Sequence, residues 1–176
     1  KPRGLHNHIV KTCGPESKNA KIEFKLGDVV TTSIKCANGE TILLQHDTNL
    51  PRPYSLGFRV QGTEGIWMDV NKGIYIEGKS AKPHQWDEAK KWLDENDHPL
   101  WKRYGSDAQG AGHGGMDFFV IHSFIESAKR KLPTAMDVYD AAAWSAVTPL
   151  SEQSIELGNE TVEFPDFTGG QWMYRK

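Results

Sequence analysis

Val29-Val30-Thr31-Thr32-Ser33-Ile34-Lys35-Cys36-Ala37-Asn38-Gly39-Glu40-Thr41-Ile42-Leu43-Leu44-Gln45-His46 carries the clearest β signal in the chain. Val29 to Cys36 is rich in β-branched residues, which fit a pleated and half-buried surface. Asn38-Gly39 is the strongest short hairpin signal present, because these two residues tolerate the positive φ angles of a tight turn. The run from Thr41 to His46 then returns as the second strand.

Outward from this hairpin the same grammar continues. Ile22 and Phe24 alternate with charged residues and read as period-two strand, with Gly27-Asp28 as the turn before Val29. Residues 1–20 are polar and read as loop, broken at Gly14-Pro15. Downstream, Phe58 to Gln61, Gly65 to Val70 and Gly73 to Glu77 are further short strands between glycine-containing turns. The stretch 21–77 is thus expected to form an open, antiparallel-dominated sheet of about five or six strands.

After Gly78 the pattern changes to helices. Pro83 to Asn96 places Trp86, Ala89 and Leu93 on one side, and His98-Pro99 opens a short helical piece through Leu100, Trp101 and Tyr104. Phe118, Ile121, Phe124, Ile125 and Ala128 recur at helical spacing, and Pro133 ends that helix near Lys131. Asp137 is the expected cap of the next helix, whose Val138, Ala141, Ala142 and Ser145 offer a narrow face of small side chains. Pro149 is expected to kink or end it, with a continuation from Ser151 to Leu157 that Gly158-Asn159 stops. The tail from Thr161 holds a possible strand before Pro165-Asp166-Phe167-Thr168 and Trp172. Strands first and helices second is the order of a single α+β domain, with helices from about residue 84 packed on one face of the sheet.

Composition bounds the function. With 21 basic and 23 acidic residues, a net charge of −2 and no basic block, nothing points to nucleic acid. No apolar run is long enough to span a membrane, and mean hydropathy is −0.59. The start, Lys1-Pro2-Arg3-Gly4-Leu5-His6, has no apolar leader and no initiator methionine, so the chain reads as a processed product or a piece of a longer protein. The compartment, bacterial periplasm or cytoplasm, is not legible. Cys13 and Cys36 form no metal-binding pair and read as free structural thiols. His6 and His8 would share a face only in a strand, and no further ligands accompany them, so no metal is expected.

Two stretches carry candidate chemistry. In Asp47-Thr48-Asn49-Leu50-Pro51-Arg52-Pro53-Tyr54 two prolines stiffen the backbone around Arg52. A guanidinium and a phenol held at a fixed angle suit a hydroxylated, anionic or neutral ligand. The plainer alternative is that the prolines merely end a strand and Tyr54 packs on the core. In Ala111-Gly112-His113-Gly114-Gly115-Met116-Asp117-Phe118, three glycines surround a histidine at the mouth of a helix. An imidazole there can hydrogen-bond a substrate hydroxyl or take part in proton transfer. The alternative is a glycine-rich turn whose histidine only caps the helix.

Pro51-Arg52-Pro53-Tyr54, Gln61-Gly62-Thr63-Glu64-Gly65, His98-Pro99-Leu100, Gly112-His113-Gly114-Gly115-Met116-Asp117-Phe118, Met136-Asp137-Val138-Tyr139-Asp140-Ala141-Ala142-Ala143-Trp144-Ser145 and Pro165-Asp166-Phe167-Thr168 occur in that order. Together, from about residue 26 to 172, they resemble the carboxy-terminal substrate domain of the Gfo/Idh/MocA oxidoreductase superfamily. The nearest branch is the NAD-dependent glycoside hydrolases of the bacterial α-N-acetylgalactosaminidase type. The resemblance implies a sugar substrate, NAD held mainly by an upstream Rossmann domain that this sequence lacks, and an oxidation–elimination reaction. In it the sugar C3 gives a hydride to NAD, the acidified C2 proton leaves, the glycosidic oxygen is eliminated, and water addition and hydride return complete the cycle. The family's Tyr-Pro-Thr-His type motif has no counterpart here, so no catalytic residue is assigned within this chain. The resemblance assigns substrate binding to Arg52, Tyr54 and His113, with Asp117 and Tyr139 behind them. Asp117 can equally be a first-turn helix acid, and Tyr139 can equally be core. The resemblance also implies a homo-oligomer built on the open sheet face. Two further readings stay open: the substrate domain of an NAD(P)-dependent sugar dehydrogenase, or a non-catalytic carbohydrate-binding or oligomerisation module, for which six tryptophans and five tyrosines would provide stacking surface.

Overall fold

A computed structural model describes residues 2–25, 27–47 and 49–174 of the chain. Leu26, where the resemblance begins, Thr48 of the proline-rich excursion and the last two residues of the tail, Arg175 and Lys176, lie outside the described residues, as does Lys1. The chain comprises two compact units, Lys1–Tyr54 and Ser55–Lys176. Antiparallel strands followed by helices make it α+β, as the sequence pattern indicates.

In the first unit, strands β1 (Val29–Lys35) and β2 (Thr41–Asp47) form the hairpin, paired from Val29↔Asp47 to Lys35↔Thr41. Exposure alternates along β1 with period two, as for a strand with one shielded face. The turn is a three-residue loop: the Gly39 amide donates to Cys36 O, and Gly39 alone takes positive φ, at 102°. That is the bulged hairpin in which a turn ends on a left-handed glycine.

The segment read as loop contains helix α1 (Gly4–Cys13), followed by a 3₁₀ turn over Asn19–Lys21. The reason is a long-range cap. The Asp28 carboxylate accepts from the Arg3 and Gly4 amides at 2.7 and 2.9 Å, so a residue far along the chain satisfies the open helix end. A helix also separates His6 from His8, since residues two apart point to different sides. Among the described residues no cluster of three or more His, Cys, Asp or Glu gathers around a metal-sized point. Ile22 and Phe24 belong to no strand; Ile22 has extended backbone angles, −76° and 129°. Both cysteines are free thiols, Cys13 exposed and Cys36 half-buried.

In the second unit, β3 (Arg59–Gln61), β4 (Gly65–Met68), β5 (Gly73–Ile76) and β6 (Asp87–Glu88) form an antiparallel meander in that order. The strands therefore make two sheets rather than one. The fourth strand of the second lies where helical spacing was expected: Gly73↔Glu88 and Ile74↔Asp87 pair it to β5. Helix α2 (Ala89–Asn96) starts only after it, which removes Trp86 from the helical stripe. Trp86 instead lies against Gly73, where an added Cβ would meet its ring at 2.8 Å.

Helix α3 (Pro99–Tyr104) is capped by His98, whose Nδ1 accepts from the Leu100 amide at 3.2 Å, with Pro99 in the first turn where its missing N–H costs nothing. It packs on α4 (Met116–Arg130) through an aromatic cluster. Trp101 meets Phe119 at 4.5 Å between ring centres, and Tyr104 meets His122 at 4.7 Å. His122 stacks on Phe118 at 5.4 Å.

Helix α5 (Val138–Glu156) continues through Pro149, so the proline does not end it. Its capping box, with Asp137 accepting from the Tyr139 and Asp140 amides and Asp140 accepting from Asp137, fixes the start. Its shielded stripe is Ala142, Ala143, Ala146, Val147 and Leu150; Val138, assigned to the packing face, is 72% exposed. Gly158 and Asn159, both at positive φ, stop it as their sequence indicates. Residues 161–165 of the tail form no strand. Among the described residues no helix is long and apolar enough to cross a membrane.

Candidate functional site

The glycine-rich stretch forms a tight left-handed turn into α4. His113, Gly114 and Gly115 all take positive φ, at 54°, 69° and 99°. Gly115 needs to be glycine twice over: its φ disfavours a side chain, and a Cβ would press on the Ala108 carbonyl at 3.1 Å and the Trp101 ring at 3.2 Å. Gly112 is different. Its φ and ψ, −56° and 161°, suit any residue, but a Cβ there would run into the Asp117 carboxylate. The Gly115 amide closes the turn by donating to Ala111 O and Gly112 O, both at 3.1 Å.

His113 does not cap the helix. Its Nδ1 lies 2.9 Å and 3.1 Å from the two carboxylate oxygens of Asp117, one turn on. Asp117 is both the acid of the first turn of α4 and the partner of this ring. An ionised carboxylate only accepts, so the bond makes Nδ1 the donor, and in the neutral ring Nε2 then carries the lone pair. The His113 side chain is 82% exposed, so that nitrogen is accessible. Beside the pair, Asp117, Ala111 and Gly112 join Phe118, Ile121, His122 and Ile125 around an apolar hollow of about 440 Å³. His122 escaped the sequence reading; its position one helical turn beyond Phe118 was the available signal.

The stretch does not fit a dinucleotide pyrophosphate. It follows α3 and a series of turns rather than a strand, and Asp117 places negative charge where phosphate would need to approach the helix end.

Tyr139 lies in the first turn of α5 and is 47% exposed, so it is not core. With Asp137, Thr168, Gln171 and Tyr174 it lines a second hollow of about 410 Å³. The tail reaches this hollow because Asp166 folds it: its carboxylate accepts from the Thr168 amide at 2.8 Å, the Thr168 hydroxyl at 2.7 Å and the Gly170 amide. Those bonds, led by that of the Thr168 hydroxyl, hold the Asp166 carboxyl below the usual carboxylate range. The hollow beside Asp117 and the hollow beside Tyr139 share no lining residue.

Arg52 and Tyr54 belong to the first unit. Arg52 turns back on the end of β2: its Nη2 donates to Asp47 O at 3.0 Å and its Nε stands 3.4 Å from Asp47 Oδ2. Asp47 Oδ1 also accepts from the Leu50 amide at 3.3 Å, so one acid orders the excursion. Tyr54 is 90% exposed and does not pack on a core.

Residues 1–174 match the family described as "Glycosyl hydrolase 109, C-terminal domain". A "Glycosyl hydrolase family 109 protein" of Stenotrophomonas maltophilia is 62% identical over the whole chain, which covers 39% of that relative. An "Alpha-N-acetylgalactosaminidase" of Tannerella forsythia is 55% identical over 99% of the chain and 37% of its own length. A second protein of that name, from Shewanella oneidensis, is 42% identical over 89% of the chain and 35% of its own length. The chain therefore spans under two fifths of the length of these relatives.

Proposed function

The chain belongs to the glycosyl hydrolase 109 C-terminal-domain family, and from that premise we propose that it is the substrate-holding part of a glycosidase acting on an N-acetylhexosaminide or related hexoside. The observation that supports this most is the family match across residues 1–174, together with a relative 55% identical that is named an α-N-acetylgalactosaminidase. Its residues provide groups suited to a sugar. Tyr54 offers an exposed phenol, Arg52 a stiffly mounted guanidinium, and His113 an accessible ring nitrogen that can accept from a hydroxyl. Tyr139 borders a hollow of its own. Holding a sugar at a fixed angle is itself a large source of rate enhancement.

The finer reading is NAD dependence. NAD supplies hydride acceptance and return when bound. The proposal places it in a nucleotide-binding domain within the additional length that the relatives have beyond this chain. Self-association through an open sheet face belongs to the same proposal, and a strictly monomeric mass in solution at high concentration would remove it.

The test is hydrolysis of a chromogenic α-N-acetylgalactosaminide by this chain joined to the segment that precedes it in its gene. Turnover is expected to need added NAD and to be absent from the 176 residues alone. His113→Ala is expected to lower kcat/KM by about 10- to 1000-fold while shifting unfolding by less than about 1 kcal/mol. Turnover by the isolated chain, or a destabilised but fully active His113→Ala enzyme, would overturn the assignment.

A further inference from the structure

We infer that Asp117 is a positioning residue that acts through His113 rather than on the sugar itself, and that Gly112 is glycine so that this carboxylate has room. The inference rests on the glycosidase reading above. Three observations converge on it.

First, the carboxylate is committed. Asp117 sits in the first turn of α4, where the helix dipole favours an acid. Both of its oxygens face His113 Nδ1, at 2.9 and 3.1 Å.

Second, the ring is delivered at a cost. His113 has φ +54°, a left-handed conformation that disfavours a residue with a Cβ by about 1–2 kcal/mol, in a turn where glycine stands on both sides. A glycine at position 113 would relieve that strain, so the side chain itself accounts for a histidine there. The conformation aims the ring back along α4 onto Asp117.

Third, the backbone leaves space for the acid. Gly112 has ordinary extended angles and needs no glycine for its conformation, yet a methyl group there would occupy the position of the Asp117 carboxylate. Position 112 is therefore constrained by Asp117, not by the turn.

The chemical consequence is a fixed tautomer. With Nδ1–H donated to the carboxylate, the neutral ring presents its Nε2 lone pair to solvent in a defined direction, able to accept from a sugar hydroxyl. The carboxylate also stabilises any imidazolium formed if that hydroxyl gives up its proton. Asp117 needs no contact with the substrate for either effect.

Kinetics of the full-length enzyme on the chromogenic glycoside provide the test, with Asp117→Ala, Gly112→Ala, His113→Ala and the two doubles that add His113→Ala. Both single variants are expected to lose about 5- to 100-fold in kcat/KM, no more than His113→Ala, with little change in melting temperature. Each double is expected to match His113→Ala alone, because a group acting only through the ring has nothing left to position. Histidine ring ¹⁵N spectra of the same protein, with the signal identified by its loss in His113→Ala, are expected to show Nδ1 protonated in the parent and a mixture of tautomers in both singles. Losses that multiply in the doubles would make Asp117 an independent substrate contact and overturn the inference, as would near-parental activity of Asp117→Ala. An unaltered ring spectrum in Gly112→Ala would overturn the steric part. A parent enzyme inactive on every glycoside tried would instead remove the glycosidase reading, and the inference with it.

Discussion

Gly114 and Gly115 are adjacent and both at positive φ, 69° and 99°, and they differ in what surrounds them. An added Cβ at Gly114 meets open space, whereas at Gly115 it meets the Ala108 carbonyl at 3.1 Å, Ala108 Cβ at 3.2 Å and the Trp101 ring at 3.2 Å. Gly114→Ala should thus incur only the conformational cost, about 1–2 kcal/mol. Gly115→Ala adds the cost of an overfilled contact, about 1–3 kcal/mol, for a total of roughly 2–5 kcal/mol. For a chain of this size each kcal/mol lowers the midpoint by about 2–4 °C, so the pair should differ by roughly 2–12 °C. Urea unfolding followed by far-ultraviolet circular dichroism gives both free energies, and tryptophan fluorescence reports on the Trp101 contact. Gly115 also braces the α3–α4 contact, since Trp101 meets Phe119 in a tilted ring contact. Equal destabilisation by the two substitutions, within about 0.5 kcal/mol, would refute the claim that packing adds to backbone angle in setting the identity of residue 115.

Two other expectations concern the edges of the second hollow. Asp137→Ala removes the acceptor for the Tyr139 and Asp140 amides and should destabilise by about 0.5–2 kcal/mol, with faster amide exchange confined to the first turn of α5; unchanged exchange there would count against the capping assignment. The Asp166 carboxyl is held low, so its contribution is present above the unfolded carboxylate value of about 3.9 and is lost as pH falls through the lower folded value. A carboxyl ¹³C titration should therefore place its midpoint below about 3.9, and Thr168→Ala should raise it; a midpoint at or above that value would contradict the turn.

The α+β class was legible in the sequence because it depends on periodicity, which is local. The Asn38-Gly39 hairpin, the stop at Gly158-Asn159, the start of α3 at His98-Pro99 and the span of α4 all follow from residues within one or two turns of the feature they set. The family was legible for a related reason: six short motifs in fixed order survive as text, whatever the chain does in space. What the sequence left undetermined depended on partners distant along the chain. Helix α1 looked like loop because its cap, Asp28, lies beyond the following turn. The fourth strand of the second sheet looked helical because only β5, brought alongside, gives Asp87 and Glu88 a ladder. Pro149 failed to break α5 because helix already built on both sides outweighs one missing amide. At the site, the sequence supplied the candidates but not their relations. His113 and Asp117 stood four residues apart in the text, a spacing that helix geometry makes adjacent, yet only the left-handed turn at His113 brings the ring onto the carboxylate. That the hollow beside Asp117 and the hollow beside Tyr139 share no lining residue was likewise decided by tertiary structure.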